Sequence, residues 1–138
     1  MRVFLDTNVL ASAIATRGIC ADVLQVTLAE HQLVVGEKVL SELHRVLMKK
    51  FRASTDLADE TDEFLRREGE VIETAPRLQV SVRDKDDLAV LEQAVAGAAD
   101  VLVTGDRDLL ELRAELSLRI LSPRGFWDLL RGTAADNK

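Results

Sequence analysis

Short apolar runs alternate with longer amphipathic stretches along the chain. The short runs are rich in valine, leucine and isoleucine and end at polar or turn residues, which is typical of buried strands. They predict five strands: Val3–Leu5, Leu33–Val35, Val71–Ile72, Val101–Val103 and Arg119–Leu121. Because such short continuous runs are apolar on both faces, they favour an α/β fold with a mainly parallel sheet that is covered by helices on both faces.

Apolar residues spaced three or four positions apart predict helices between these strands. The predicted helical stretches are, in order, 7–17, 19–29, 37–51, 54–68, 84–97, a short helix within 104–112, and a last helix opened by Ser122-Pro123. Residues 76–83 are expected to form a loop with an extended portion. We expect one domain over residues 1–132 and a disordered tail over residues 133–138.

The composition is that of a globular protein and excludes several classes. The 138 residues are 47% hydrophobic and 30% charged, and no apolar run approaches the length of a membrane span. The single cysteine, Cys20, rules out an internal disulfide and fits a reducing cytosol. The net charge of −6 argues against broad phosphate neutralisation, although bound divalent cations would reverse the field locally.

Polar residues follow the first and fourth predicted strands where each strand ends. Asp6 comes directly after the first strand, and Thr104, Asp106 and Asp108 follow the fourth. Ligands of open parallel sheets bind beyond the carboxyl ends of the strands. Two strands therefore bring carboxylates to the same edge of the sheet, whereas a helix cap would account for Asp6 alone.

Further acidic candidates lie on two of the predicted helices. Glu42 borders the apolar stripe of its helix, and taken alone it reads as an ion-pair partner of Arg45, worth a few tenths of a kcal/mol. Asp84, Asp86 and Asp87 open another helix, where one aspartate suffices for capping. Three aspartates so close together repel one another unless a cation lies near, and the sequence leaves open which of them faces a site.

Converging carboxylates are the ligands that Mg²⁺ and Mn²⁺ prefer, and such an ion can activate water and neutralise charge at a phosphodiester. Competing chemistries lack their residues. No serine–histidine or cysteine–histidine arrangement and no Walker-type glycine loop is present. A haloacid-dehalogenase-type site wants a second aspartate where Asn8 stands, and a receiver-type site wants an acidic neighbour for Asp6.

The motifs together resemble the PIN domain family. The matching stretches are "FLDTNVL" at the N-terminus, "SEL" carrying Glu42, "DDLAVLEQAVAGAADVLVTGDRDLL", and a final short strand followed by an aromatic-bearing helix. In this order they are specific, and the likeness covers nearly the whole chain. It is greatest to the bacterial PIN proteins described as toxin components of toxin–antitoxin systems, the VapC-like ribonucleases.

The resemblance implies a PIN-like three-layer α/β/α sandwich and a cytoplasmic endoribonuclease that depends on Mg²⁺ or Mn²⁺. It also implies an RNA substrate, a small antitoxin partner that covers the acidic site, a homodimer, and no association with a membrane. The catalytic metal ligands that it implies are Asp6, Glu42, Asp87 and Asp106, and the supporting residues are Asn8, Thr104 and Asp108. Asp84 and Asp86 remain alternatives for the third ligand.

Two other functions stay open on the sequence. The chain could be a PIN-fold module that binds a partner without catalysis, although all four candidate carboxylates are present. It could also be a different Mg²⁺-dependent phosphoryl-transfer enzyme or hydrolase built on an α/β sheet.

Overall fold

The computed structural model describes residues 1–73, 78, 85–114 and 118–136. Apart from Leu78, the predicted loop at 76–83 lies outside the described residues, and so does Asp84. The described residues form five strands: β1 (Arg2–Leu5), β2 (Gln32–Gly36), β3 (Glu70–Ile72), β4 (Val101–Val103) and β5 (Arg119–Leu121). They agree with the five predicted strands to within about a residue at each end.

All five strands are parallel and form one sheet in the order β3-β2-β1-β4-β5. The side chains of β1 from Val3 to Leu5 and of β4 from Val101 to Val103 are fully buried. Because successive side chains point to opposite faces of a strand, both faces of the sheet centre are covered. The predicted α/β class with a parallel sheet of about five short strands is therefore confirmed.

The helices connect the strands and cover the sheet. Among the described residues they are α1 (Thr7–Ala15), α2 (Ile19–Glu30), α3 (Glu37–Lys49), α4 (Thr55–Glu68), α5 (Lys85–Ala96), α6 (Arg107–Leu110) and α7 (Pro123–Asp136), with a 3₁₀ turn at Glu111–Ala114. Helix α1 packs on α2 and α3, α3 packs on α4, and α2 packs on α7. The last helix continues through residues 133–136, four of the six that were expected to form a disordered tail.

The course of the chain through the sheet creates a crevice beside the central strand. From β1 the chain moves to β2 and β3 on one side, and it then crosses to β4 and β5 on the other side. Such a change of direction leaves a crevice at the carboxyl ends of the two adjoining strands, here β1 and β4. The helices that follow these strands therefore start beside the same opening.

Within the described part of the chain, no single helix is long and apolar enough to cross a membrane. Helices α1 and α2 reach the required length and apolarity only when they are counted together across a bend of 100°.

Candidate metal centre

The strand register places two polar residues side by side at the carboxyl ends of β1 and β4. Leu5 pairs with Val103, so the residues that follow them, Asp6 and Thr104, leave the sheet at the same level. The backbone N–H of Asp6 donates to the carbonyl of Val103 at 2.9 Å. The hydroxyl of Thr104 donates to Oδ2 of Asp6 at 2.7 Å, which fixes the orientation of that carboxylate.

Asp6 is both a helix cap and a wall of the crevice. Its Oδ1 accepts the backbone N–H of Thr7 at 2.8 Å where α1 begins. The residue is only 8% exposed, and this burial raises the pKa of its carboxyl above the ordinary value. The hydrogen bonds from Thr104 and Thr7 act in the opposite direction, and the nearby charge of Asp106 raises the pKa further.

Glu42 reaches the same crevice from α3, which starts directly after β2. Its Oε2 accepts the hydroxyl of Thr7 at 3.2 Å. Its Oε1 is buried and accepts no hydrogen bond from the described residues. The ion pair of Glu42 is with Lys38, whose Nζ lies 3.7 Å from Oε1, and not with Arg45, the partner considered from the sequence. That separation exceeds a hydrogen bond, so this buried carboxylate oxygen has no hydrogen-bond donor among the described residues.

Two aspartates enter from the first turn of α5. Asp86 forms an ion pair with Lys38 through Oδ1 at 3.0 Å. Asp87 lies near the loop that follows β4, and its ligand oxygen is within 4.8 Å of those of Asp106 and Asp108. The structure thus places both Asp86 and Asp87 at the crevice, with different neighbours.

Asp106 is held by its own loop and by Thr104. Its Oδ1 accepts the backbone N–H groups of Asp108 at 2.8 Å and Leu109 at 3.4 Å, which caps α6. Its backbone N–H donates to the Thr104 hydroxyl at 3.0 Å. The one hydroxyl of Thr104 therefore links the Asp6 carboxylate to the loop that carries Asp106.

These side chains surround a cavity of about 210 Å³. Among the described residues its lining is formed by Asp6, Thr7, Asn8, Glu42, Val46, Asp86, Asp87, Val90 and Asp106. All four carboxylates assigned by the family resemblance thus line one cavity, and the exposed Asn8 lies on its wall. Thr104 lies buried behind Asp6, and Asp108 lies beside Asp87 and Asp106.

Two residues of this arrangement were missed by the sequence reasoning. Thr7 contacts Glu42 through its side chain and Asp6 through its backbone. Lys38 joins Glu42 to Asp86. The four-residue spacing between Lys38 and Glu42 is a signal that the sequence contains, but it does not show that the lysine also reaches α5.

The donor set fits a hard divalent cation. The cavity offers several carboxylate oxygens, and Mg²⁺ and Mn²⁺ prefer such ligands. The buried Oε1 of Glu42 would gain a partner, and a cation would favour the ionised form of Asp6, which burial disfavours. The identity of the ligands remains a prediction that rests on this fit.

A parallel α/β sheet with an acidic cavity at its switch point defines a candidate site for a divalent cation. The family model of the PIN domain matches residues 2–108, and the chain belongs to the PIN domain family. The resemblance found in the sequence is therefore confirmed. No curated protein matches the chain.

A solved structure shares this fold. One match is to a chain of the crystal structure titled "Crystal structure of VapBC2 from Rickettsia felis bound to a DNA fragment from their promoter". The TM-score is 0.62, the sequences are 18% identical, and the alignment covers 87% of this chain and 97% of that chain. At this identity the similarity concerns the fold.

Proposed function

We propose that this protein is a divalent-metal-dependent endoribonuclease that acts as the toxin of a type II toxin–antitoxin pair in the cytoplasm. The observation that carries the proposal is the convergence of Asp6, Glu42, Asp87 and Asp106 on one cavity, where Oε1 of Glu42 is buried without a hydrogen bond from the described residues. Converging carboxylates repel one another, and a polyanionic substrate would add to that repulsion. The arrangement therefore makes chemical sense with a cation in the cavity.

The proposed roles follow from where each side chain is held. Asp6 and Asp106 are fixed at neighbouring strand ends and share the hydroxyl of Thr104, so we assign them as the rigid half of the ligand set. Glu42 and Asp87 come from helices and complete it. A divalent ion bound there would neutralise charge on an RNA phosphodiester and lower the pKa of an attacking water. Asn8 would orient that water or a carboxylate from the cavity wall.

The test is cleavage of a labelled single-stranded RNA by the full chain in Mg²⁺, in Mn²⁺, and in excess EDTA. Asp6→Asn removes a charge with little change of shape. Its cleavage rate should fall by at least the roughly 10- to 100-fold that mutation around a metal ligand typically costs. Asp22→Asn is the matched control, since Asp22 is exposed in the first turn of α2. This variant should cleave RNA at the wild-type rate.

Each outcome separates the proposal from its alternatives. If the Asp6→Asn variant cleaves RNA as fast as wild type, Asp6 has no role in the mechanism. A wild-type chain that binds Mn²⁺ but cleaves no RNA would point to a PIN-fold binding module. A chain that hydrolyses small phosphate esters but not RNA would point to the other class of Mg²⁺-dependent hydrolase.

The toxin assignment has its own test. The fold shared with VapBC2 supports a partner protein, and we propose a small antitoxin that covers the acidic cavity and a homodimer of this chain. Induced expression of wild type should arrest bacterial growth, whereas Asp6→Asn should not. Light scattering should give the mass of two chains, and a monomer mass would refute the dimer. A short adjoining gene for a small DNA-binding protein, whose product forms a complex with this chain and restores growth, would identify the antitoxin.

A further inference from the structure

An ammonium group spans two of the acids that line the cavity. Nζ of Lys38 lies 3.0 Å from Oδ1 of Asp86 and 3.7 Å from Oε1 of Glu42. Glu42 is on the same helix as Lys38, whereas Asp86 is on α5. The lysine therefore bridges two helices that both wall the cavity. One of its two contacts is the buried oxygen of Glu42 that accepts no hydrogen bond from the described part of the chain.

The stability of α3 does not explain this lysine. Helix α3 begins at Glu37, so Lys38 lies in its first turn, where the helix dipole favours anions over cations. A lysine four residues before a glutamate is also the weaker orientation of that pair. The shorter contact is made to Asp86 on the neighbouring helix, at hydrogen-bond distance. The position of Lys38 is therefore explained by its contacts with the two acids, Asp86 and Glu42, that line the cavity.

We propose that Lys38 is the resident cation of the metal-free cavity and that a divalent ion enters by displacing its ammonium from Glu42 and Asp86. This inference rests on the proposed metal site and adds a competitor that the chain itself supplies. The Lys38 side chain is 41% exposed, so it can turn to solvent without unfolding α3. A divalent ion carries twice the charge of an ammonium and accepts more oxygen ligands. It therefore replaces the ammonium at the carboxylates when its concentration is high enough.

The competition has a defined consequence for metal affinity. Only the molecules in which the ammonium has left the two carboxylates can bind metal. The apparent metal affinity equals the intrinsic affinity multiplied by the fraction of such molecules, so the ammonium lowers it. The lysine charge also repels an incoming cation directly at short range. Removal of the charge should therefore tighten metal binding, whereas a residue that merely supports the site would weaken binding when it is removed.

The experiment is calorimetric titration of the EDTA-stripped full chain with Mn²⁺. Lys38→Met keeps a long unbranched side chain with good helix propensity and removes the charge. We expect about 10-fold tighter Mn²⁺ binding at low salt, and a smaller difference at high salt because the Lys38 side chain is exposed to solvent ions. Lys38→Arg keeps the charge and should stay close to wild type. Lys49→Met, in the last turn of α3, controls for loss of a lysine from the same helix and should also stay close to wild type.

A second measurement uses the wild-type chain. The ¹⁵N resonance of the Lys38 ammonium, assigned by its absence in Lys38→Arg, should shift on addition of diamagnetic Mg²⁺, while that of Lys49 should not. A resonance that does not move would overturn the displacement.

The calorimetric outcomes distinguish this inference from the proposed function. If wild type binds Mn²⁺ and cleaves RNA while Lys38→Met binds Mn²⁺ equally or more weakly, only the role of Lys38 is wrong. If wild type binds no divalent ion at all, the metal site and the role of Lys38 fail together.

Discussion

Thr104 allows a sharp test of how the two strand ends are held together. Its side chain is fully buried, its hydroxyl donates to Oδ2 of Asp6 at 2.7 Å, and the same oxygen accepts the backbone N–H of Asp106 at 3.0 Å. Thr104→Val keeps the shape of the side chain and removes both hydrogen bonds. Thr104→Ser keeps the hydroxyl and removes one methyl group. The two variants separate hydrogen bonding from packing.

The magnitudes follow from these contacts. A hydrogen bond to a charged acceptor contributes about 1.5–3 kcal/mol, and a buried N–H without a partner costs about 1–3 kcal/mol. Since Asp106 is only half buried, water can satisfy part of the second loss. We therefore expect Thr104→Val to lower the free energy of unfolding by about 2–4 kcal/mol at neutral pH. Thr104→Ser should lose only about 1 kcal/mol, the contribution of a buried methyl group.

The assay is urea unfolding of the metal-free chain, followed by the fluorescence of Trp127, the single tryptophan. The Thr104 hydroxyl stabilises the ionised form of Asp6, so its loss should raise the pKa of Asp6 further. The cost of Thr104→Val should consequently be smaller at acid pH, where Asp6 is protonated, than at neutral pH. Because the carboxylate loses its orienting donor, Mn²⁺ affinity should fall about 10- to 100-fold in Thr104→Val and little in Thr104→Ser.

Two results would refute this reasoning. If Thr104→Val were as stable as Thr104→Ser, the hydroxyl would not hold the strand ends together. If Thr104→Val lost the expected stability yet bound Mn²⁺ like wild type, the residue would support the fold without positioning Asp6.

Three further predictions concern the cavity and its surroundings. Mn²⁺ at 100 times its dissociation constant should stabilise wild type by about 2.7 kcal/mol and raise its melting temperature. Asp6→Asn should show no such rise. Equal rises in the melting temperatures of wild type and Asp6→Asn would place the ion elsewhere. Without metal, the pKa of Asp6 is higher in the folded than in the unfolded chain, so the contribution of Asp6 to stability is fully present below the unfolded pKa and is lost as pH rises through the folded pKa. Asp6→Asn should remove this pH dependence of the free energy of unfolding in urea. An unchanged pH profile would contradict the raised pKa of Asp6. Gly36→Ala would press a methyl group against the buried side chain of Gln93, so it should lower the free energy of unfolding in urea by about 1–3 kcal/mol. Adding Gln93→Ala to the same chain should reduce that cost. If the costs of the two substitutions were instead additive in the double variant, the clash would be excluded.

Much of the fold was predictable because burial leaves a local mark on the sequence. Each of the five short apolar runs predicted as strands became a strand of three to five residues, and Gly69 directly follows α4 where the sequence predicted its end. Helix α1 ends at Ala15, before the predicted break at Gly18, and Gly18 instead precedes α2. The helix limits were less predictable. Helix α3 ends at Lys49, two residues before its predicted end, since pattern alone does not say where the last turn loses its contacts.

The candidate site was predictable in part. Asp6 and Asp106 follow apolar runs, so their place at one edge of a parallel sheet could be inferred from the sequence. The choice between Asp86 and Asp87 could not, because it depends on how α5 is rotated against the sheet. The structure sends Asp86 toward Lys38 and Asp87 toward Asp106 and Asp108.

The sequence by itself determined which segments are buried, the order of strands and helices, and the membership of the PIN domain family that its motifs indicate. Only the tertiary structure decided that β1 and β4 are neighbours, that Thr104 joins Asp6 to the Asp106 loop, and that Lys38 spans α3 and α5. The physical reason is that hydrophobic periodicity reports how each segment meets its surroundings. Contacts between polar side chains on different elements depend on the angles and distances at which distant segments pack around a shared core.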